Sequence, residues 1–141
     1  MNFKYTLLLI ALFTLPSLTY SQYIKIPDAR FEEALIDLGI DTDGEINGLV
    51  KKDDVILVEI LDLSGREIVD LTGIEGFMSL KKLDVSDNEI QRLYLENLYF
   101  LRELNCKNNP LEILRISKYA ELQSFLYTNE AIPGDLAVVK F

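Results

Sequence analysis

Leu80-Lys81-Lys82-Leu83-Asp84-Val85-Ser86-Asp87-Asn88-Glu89-Ile90 spaces four aliphatic residues as 1, 4, 6 and 11, with asparagine at 9. The spacing recurs 21 residues later at Leu101, Leu104, Cys106, Asn109 and Leu111. It recurs again at Leu122, Phe125, Tyr127, Glu130 and Ile132, with glutamate in the asparagine place. A looser copy lies 22 residues upstream, at Val58, Leu61, Leu63, Arg66 and Ile68. Self-similarity at so short a period marks a solenoid. Alternate strand residues point to opposite faces. The inward ones stack on the next coil about 4.8 Å away, which predicts one parallel sheet of about four coils.

The second halves of the coils repeat as well. Ile90, Leu93, Leu95, Leu98 and Leu101 match Leu111, Leu114, Ile116, Tyr119 and Leu122 in spacing. The first coil instead runs Ile68, Leu71, Ile74, Phe77, Leu80, one residue longer. This predicts a 3₁₀ turn there and extended backbone in the later, tighter turns. Asn88 and Asn109 fall where the chain leaves the strand, so their amides read as a structural ladder bonding backbone of the turn and of the neighbouring coil. Glu130 cannot donate, so the last rung should end differently.

Upstream of the repeats, Asp28 is a good helix N-cap. Phe31, Leu35 and Leu38 share one helical face, Glu32 and Glu33 suit the first turns, and Gly39 closes the helix. A second, weaker helix is predicted over Leu49–Val55. A solenoid needs its first coil covered, so residues 22–57 are assigned as an N-terminal helical cap and 58–132 as the repeats. Pro133-Gly134 makes a turn, and Leu136–Phe141 reads as a strand, so 133–141 form a C-terminal strand or partial cap.

Residues 1–21 read as a secretory signal peptide. Lys4 precedes an apolar run through Leu18, and Thr19-Tyr20-Ser21 supplies a cleavage site before Gln22. The run is shorter than the roughly 20 apolar residues of a membrane span and contains Pro16. Removing Lys4 takes the formal charge from −9 to −10. Such acidity argues against nucleic acid and anionic membrane as partners. The chain has no histidine, which removes the commonest general base and metal ligand. Its one cysteine, Cys106, has no partner for an internal disulfide, so an apolar core must hold the fold.

The motifs resemble short exported leucine-rich-repeat proteins of Bacteroidetes-type bacteria. Ile26-Pro27-Asp28-Ala29-Arg30-Phe31, Asp41-Thr42-Asp43-Gly44-Glu45-Ile46, Asp70-Leu71-Thr72-Gly73-Ile74-Glu75-Gly76-Phe77 and Leu80–Ile90 carry the resemblance. The Leu71–Phe77 stretch is similar to coils of internalin-type adhesins. The resemblance implies an α/β solenoid, a leucine-rich-repeat parallel sheet with a helical cap. It also implies export and a binding or surface role, without naming a ligand.

Three chemical readings compete with binding. Asp41 to Glu45 resembles part of a calcium loop, but with Gly44 at loop position 6 both end ligands fall on Gly39 and Val50. The bland reading is an acidic turn. Cys106 occupies an inward position and reads as core. Asp62 and Asp84 occupy equivalent places on adjacent strands, yet an open face desolvates neither, as a glycosidase acid requires. No catalytic residue, cofactor or metal is assigned.

The candidate binding residues are the outward strand positions Lys81, Lys82, Asp84, Arg102, Glu103, Asn105 and Lys107. Lys81, Lys82, Arg102 and Lys107 form a basic island on an acidic protein, and its neighbours Asp84, Asp87 and Glu103 offer neutralisation. The expected function is an exported binding module for a protein or glycan ligand, at or outside the cell envelope. The alternatives are a structural fragment that self-associates through its C-terminal coil, and, last, a hydrolase. N-terminal sequencing of protein recovered outside the producing cell should begin at Gln22; soluble cytoplasmic protein retaining Met1 would refute the export signal.

Overall fold

The computed structural model describes residues 22–127 and the backbone of a strand at Ala137–Lys140. The expectations for residues 1–21, Glu130, Ile132 and Pro133-Gly134 lie outside the described residues. The chain begins with β1 (Tyr23–Lys25), α1 (Ala29–Asp37), β2 (Leu49–Lys51) and α2 (Lys52–Val55). The coils follow as β3 (Ile60–Asp62), a 3₁₀ turn (Ile74–Gly76), β4 (Lys82–Asp84), β5 (Arg92–Leu95), β6 (Glu103–Asn105), β7 (Ile113–Ile116), β8 (Ser124–Leu126) and β9 (Ala137–Lys140).

Two parallel sheets form the solenoid. One is ordered β3-β4-β6-β8 and the other β5-β7-β9. Their registers reproduce the repeat: Leu61 opposes Leu83, Leu83 opposes Leu104, and Leu104 opposes Phe125. In the second sheet Leu93 opposes Leu114 and Leu95 opposes Ile116. The inward columns Leu61-Leu83-Leu104, Leu63-Val85-Cys106 and Ile68-Ile90-Leu111 are buried. Each buried aliphatic side chain contributes about 1.5–3 kcal/mol. The column ends at Phe125, which is 40% exposed although its position is inward. Its strand is the last of its sheet, so no further described coil covers it. The C-terminal strand extends the second sheet, pairing in parallel with β7.

The asparagines join coil to coil. Asn88 Oδ1 accepts from Arg66 N and Ile68 N at 3.0 Å each, and its Nδ2 donates to Leu63 O, Val85 O and Ser86 O. Asn109 Oδ1 accepts from Ile90 N at 3.0 Å, and its Nδ2 donates to Val85 O, Cys106 O and Lys107 O. In the first coil Arg66 stands in the asparagine place, and its guanidinium pairs with Asp37 at the end of α1.

The cap differs from the sequence reading in two places. Leu38 is 43% exposed, and Ala34 joins Phe31 and Leu35 in the core. The helix stops at Asp37, and Gly39 turns the chain away at φ +68°, so Leu38 never completes the apolar face. The expected Leu49–Val55 helix is shorter than predicted: its first three residues, Leu49–Lys51, form β2, which pairs antiparallel with β1, and α2 keeps Lys52–Val55. A strand partner 26 residues upstream, Ile24 opposite Val50, overrides the local preference.

Two carboxylates hold the cap. Asp28 Oδ1 caps α1 through Arg30 N and Phe31 N, while its Oδ2 accepts Val69 N and Asp70 N of the first coil. Partial burial raises the Asp28 pKa, but these four backbone donors outweigh it and leave the carboxyl below its ordinary range. Glu32, 1% exposed, accepts Asn47 N, Gly48 N and Leu49 N. Gly73, at φ +107°, lies so close to the cap that a Cβ would stand 2.6 Å from Lys25 O.

Asn88→Ala should cost at least about 2 kcal/mol, because it strands buried backbone groups of two coils. Chemical denaturation reads this directly; a midpoint equal to wild type would show that the ladder carries no stability.

Candidate functional site

The outward face of β3, β4, β6 and β8 brings the candidate residues together, because the register places Lys82 beside Glu103 and Asp84 beside Asn105. Lys82 Nζ lies 2.9 Å from Glu103 Oε2, and Lys81 Nζ lies 2.7 Å from Glu59 Oε1. The Glu103 hydrogen bond and charge raise the Lys82 pKa. Half of the basic island is thus paired. Arg102 donates to Leu101 O at 3.2 Å. Among the described residues neither Arg102 nor Lys107 forms an ion pair.

Asp84 and Asn105 shape the face as well as lining it. Asp84 Oδ1 accepts Ser86 N and Ser86 Oγ at 2.9 and 2.6 Å, and its Oδ2 accepts Asn105 Nδ2 at 2.8 Å. Asn105 Oδ1 accepts Lys107 N at 3.3 Å. Asp62 closes the same turn with Ser64 in the first coil. The signal was the repeated Asp-x-Ser at Asp62-Ser64 and Asp84-Ser86, a side chain bonding its own backbone two residues on. These hydrogen bonds lower the Asp62 pKa, the opposite of what a general acid needs. A shallow depression of about 130 Å³ lies between Lys82, Asp84, Glu103, Asn105, Ser124 and Leu126.

Sequence reading missed a second surface. Tyr94, Tyr99, Phe100 and Tyr119 are exposed. The Tyr99 and Tyr119 rings meet edge to face at 5.9 Å, and the Arg115 guanidinium lies 5.4 Å from the Tyr94 ring centroid. Tyr94, Tyr99 and Phe100 fall between the inward positions, whereas Tyr119, read from the repeat as inward in the place of Leu98, is 64% exposed, and Ala120 is buried beside it. Beside Tyr94 a larger cleft of about 550 Å³ separates the first coil's turn from β5.

In the acidic loop the carboxylates bond their own turn. Asp43 Oδ1 accepts Glu45 N, Asp41 Oδ1 accepts Asp43 N, and Asp54 Oδ2 accepts Thr42 N and Thr42 Oγ1. Among the described residues no group of three or more cysteine or carboxylate side chains is arranged to hold a metal ion. Asp41 is 4% exposed and its Oδ2 has no partner. Burial raises its pKa, and the charges of Asp43, Glu32 and Asp54 add to the rise against the Asp43 N–H bond. Cys106 is buried, and desolvation pushes its thiol up to about 12, which leaves it a core residue rather than a nucleophile.

No family model matches the chain. A leucine-rich repeat-containing G-protein coupled receptor 5 from Rattus norvegicus is 29% identical over 111 residues, 75% of this chain. The chain spans about 12% of that relative's length. Among solved structures, an internalin (inlF) from Listeria monocytogenes aligns with a TM-score of 0.59 at 24% identity, over 74% of this chain and 31% of that one. The functional domain of InlJ from Listeria monocytogenes aligns with a TM-score of 0.64 at 22% identity, over 84% and 28%. The chain is a leucine-rich-repeat-type α/β solenoid with an internalin-like fold.

Asp41→Asn tests the buried acid. A folded pKa raised above the unfolded value means that Asp41 favours the fold only while protonated, and that this contribution is lost as pH rises through the folded pKa. The variant should therefore be more stable than wild type at pH 7, with the difference shrinking toward pH 3. Melting curves at the two pH values decide; a variant less stable at pH 7 would contradict the assignment.

Proposed function

We propose that the chain is an exported binding module whose outward strand face engages a protein ligand. The carrying observation is the shallow depression between β4, β6 and β8, together with Arg102 and Lys107, which stand next to Glu103 and two residues past Asn105 in the chain and whose charges are free of ion pairs among the described residues. Lys82, Asp84, Glu103 and Asn105 form a pre-set bed, because their mutual bonds fix their geometry before any ligand arrives. Arg102 and Lys107 then supply the net attraction for an acidic patch. The domain scheme keeps residues 1–21 as leader, 22–57 as cap, 58–132 as repeats and 133–141 as the closing segment. Placement outside the cytoplasm rests on the leader, and the resemblance by motif to short exported Bacteroidetes-type proteins supports the same reading.

The face is small. Four coils offer about as many outward side chains as the lower end of a standard interface, roughly 20–30 residues a side, which favours a weak or multivalent ligand. A second reading, self-association, is favoured by β8, the last strand of its sheet, where Phe125 and Leu126 are 40% and 43% exposed. A concentration series in size-exclusion chromatography separates it from the first.

Screening an array of extracellular proteins and glycans supplies the ligand, and Arg102→Ala with Lys107→Ala tests the face. The double variant should bind at least about tenfold more weakly at low salt, and the gap should narrow at high salt as screening removes the attraction. Its melting temperature should stay within about 2 °C, because exposed charges contribute little to stability. Lys82→Ala should weaken binding less, since its charge is committed to Glu103. Equal binding by wild type and double variant at low salt would move the functional surface elsewhere.

A further inference from the structure

The second sheet runs β5-β7-β9, so β5 is an edge. Gln91 O accepts Glu112 N and Ile113 N at 2.8 and 3.2 Å, and Leu95 O accepts Ser117 N at 3.3 Å. Residues 91, 93 and 95 therefore turn their backbone groups toward β7. Backbone polar groups alternate sides along a strand, so Arg92 and Tyr94 direct theirs at the first coil. Had that coil been extended, a strand would receive them. Instead it turns on itself, with Ile74 N bonded to Leu71 O and Gly76 N to Gly73 O. No described residue of the first coil pairs with the backbone of Arg92 or Tyr94. The two coils are tied just before this point by Glu89 N to Ile68 O at 2.9 Å, then part around the 550 Å³ cleft.

The banks of the cleft carry opposite charge. Asp70, Thr72 and Glu75 line one side, and Gln91, Arg92 and Tyr94 the other. Asp70 Oδ1 is held by Thr72, and Glu75 Oε2 by Gly73 N, which leaves each carboxylate one oxygen without a described partner. No ion pair crosses to Arg92. We propose that this cleft takes an extended peptide, which pairs with the free edge of β5 and aims a basic side chain at Asp70 and Glu75. Arg92 and Tyr94 present donor–acceptor pairs two residues apart, roughly 6.6 Å, the repeat of a second strand. Unpaired strand edges are templates for such addition. Four strand residues span roughly 13 Å, enough for three or four peptide residues, and the cleft volume falls within the usual range of about 300–1,000 Å³ for binding pockets. The proposal is independent of the outward face of the first sheet.

The test uses the ¹⁵N-labelled protein and the peptide acetyl-Thr-Val-Lys-Val-Thr-amide, with a glutamate twin and an N-methylated twin. At saturation the lysine peptide should slow hydrogen exchange at the Arg92 and Tyr94 amides at least tenfold, leaving the Lys82 and Arg102 amides unchanged. Asp70→Asn with Glu75→Gln should weaken it about three- to tenfold. Tyr94→Pro, which an edge strand tolerates, removes the amide at 94 and should abolish the protection at the remaining Arg92 amide; if that variant fails to fold, the N-methylated twin, which should not bind, carries the same test at both amides. Unchanged exchange at both amides, equal protection by the glutamate twin, or perturbation of the cleft by maltohexaose alone would overturn the proposal.

Discussion

Every coil must release its chain from the sheet, and there the backbone turns away from the neighbours that had satisfied it. Buried peptide groups left unpaired at that point would outweigh what the inward leucines contribute. Asn88 and Asn109 resolve this, because one amide both accepts and donates. Each bonds its own turn and the preceding coil together, so stacking and turn closure become a single cooperative unit. Asp87 and Asn108 precede them in left-handed backbone, at φ +57° and +54°, and Gly65 holds the equivalent place at +64°. Asn108 Nδ2 also reaches Asp87 Oδ1 at 2.7 Å, a second rung on the surface.

The first coil solves the same problem with different chemistry. Its asparagine place holds Arg66, which turns to Asp37 of the cap, and Asn88 of the next coil serves its backbone N–H groups. Asp28 then joins the cap helix to the coil's outgoing chain with one carboxylate. The stacked rings of Phe31 and Phe77, with centroids 6.3 Å apart, fill the space between. The cap is thus continuous with the repeat core. The same adaptation gives the first coil its 3₁₀ turn, and that turn leaves β5 without a neighbour.

Two surfaces result from one architecture. The outward face of the first sheet is polar and largely self-paired, so its residues are rigid before contact. The cleft at β5 is the reverse, with unpaired backbone and facing charges that do not meet. The first offers shape and the second offers unspent hydrogen bonds.

The repeat was legible in the sequence because stacking identical coils demands the same residue types at the same spacing: Leu83, Leu104, Asn88 and Asn109 announce both the fold and their own places in it. The N-cap at Asp28 was legible for a local reason, since one side chain serves backbone two and three residues away. What depended on partners far along the chain was not. The strand at Leu49–Lys51 exists because β1 lies beside it, and Leu38 is exposed because the helix stops one residue short of burying it. The sequence offered Asp84, Asp87 and Glu103 together as neutralising neighbours, and it is register that selects Glu103 for Lys82. The free edge of β5 arises because two adjacent coils adopt different backbone conformations, a mismatch between neighbours that no single coil's sequence contains.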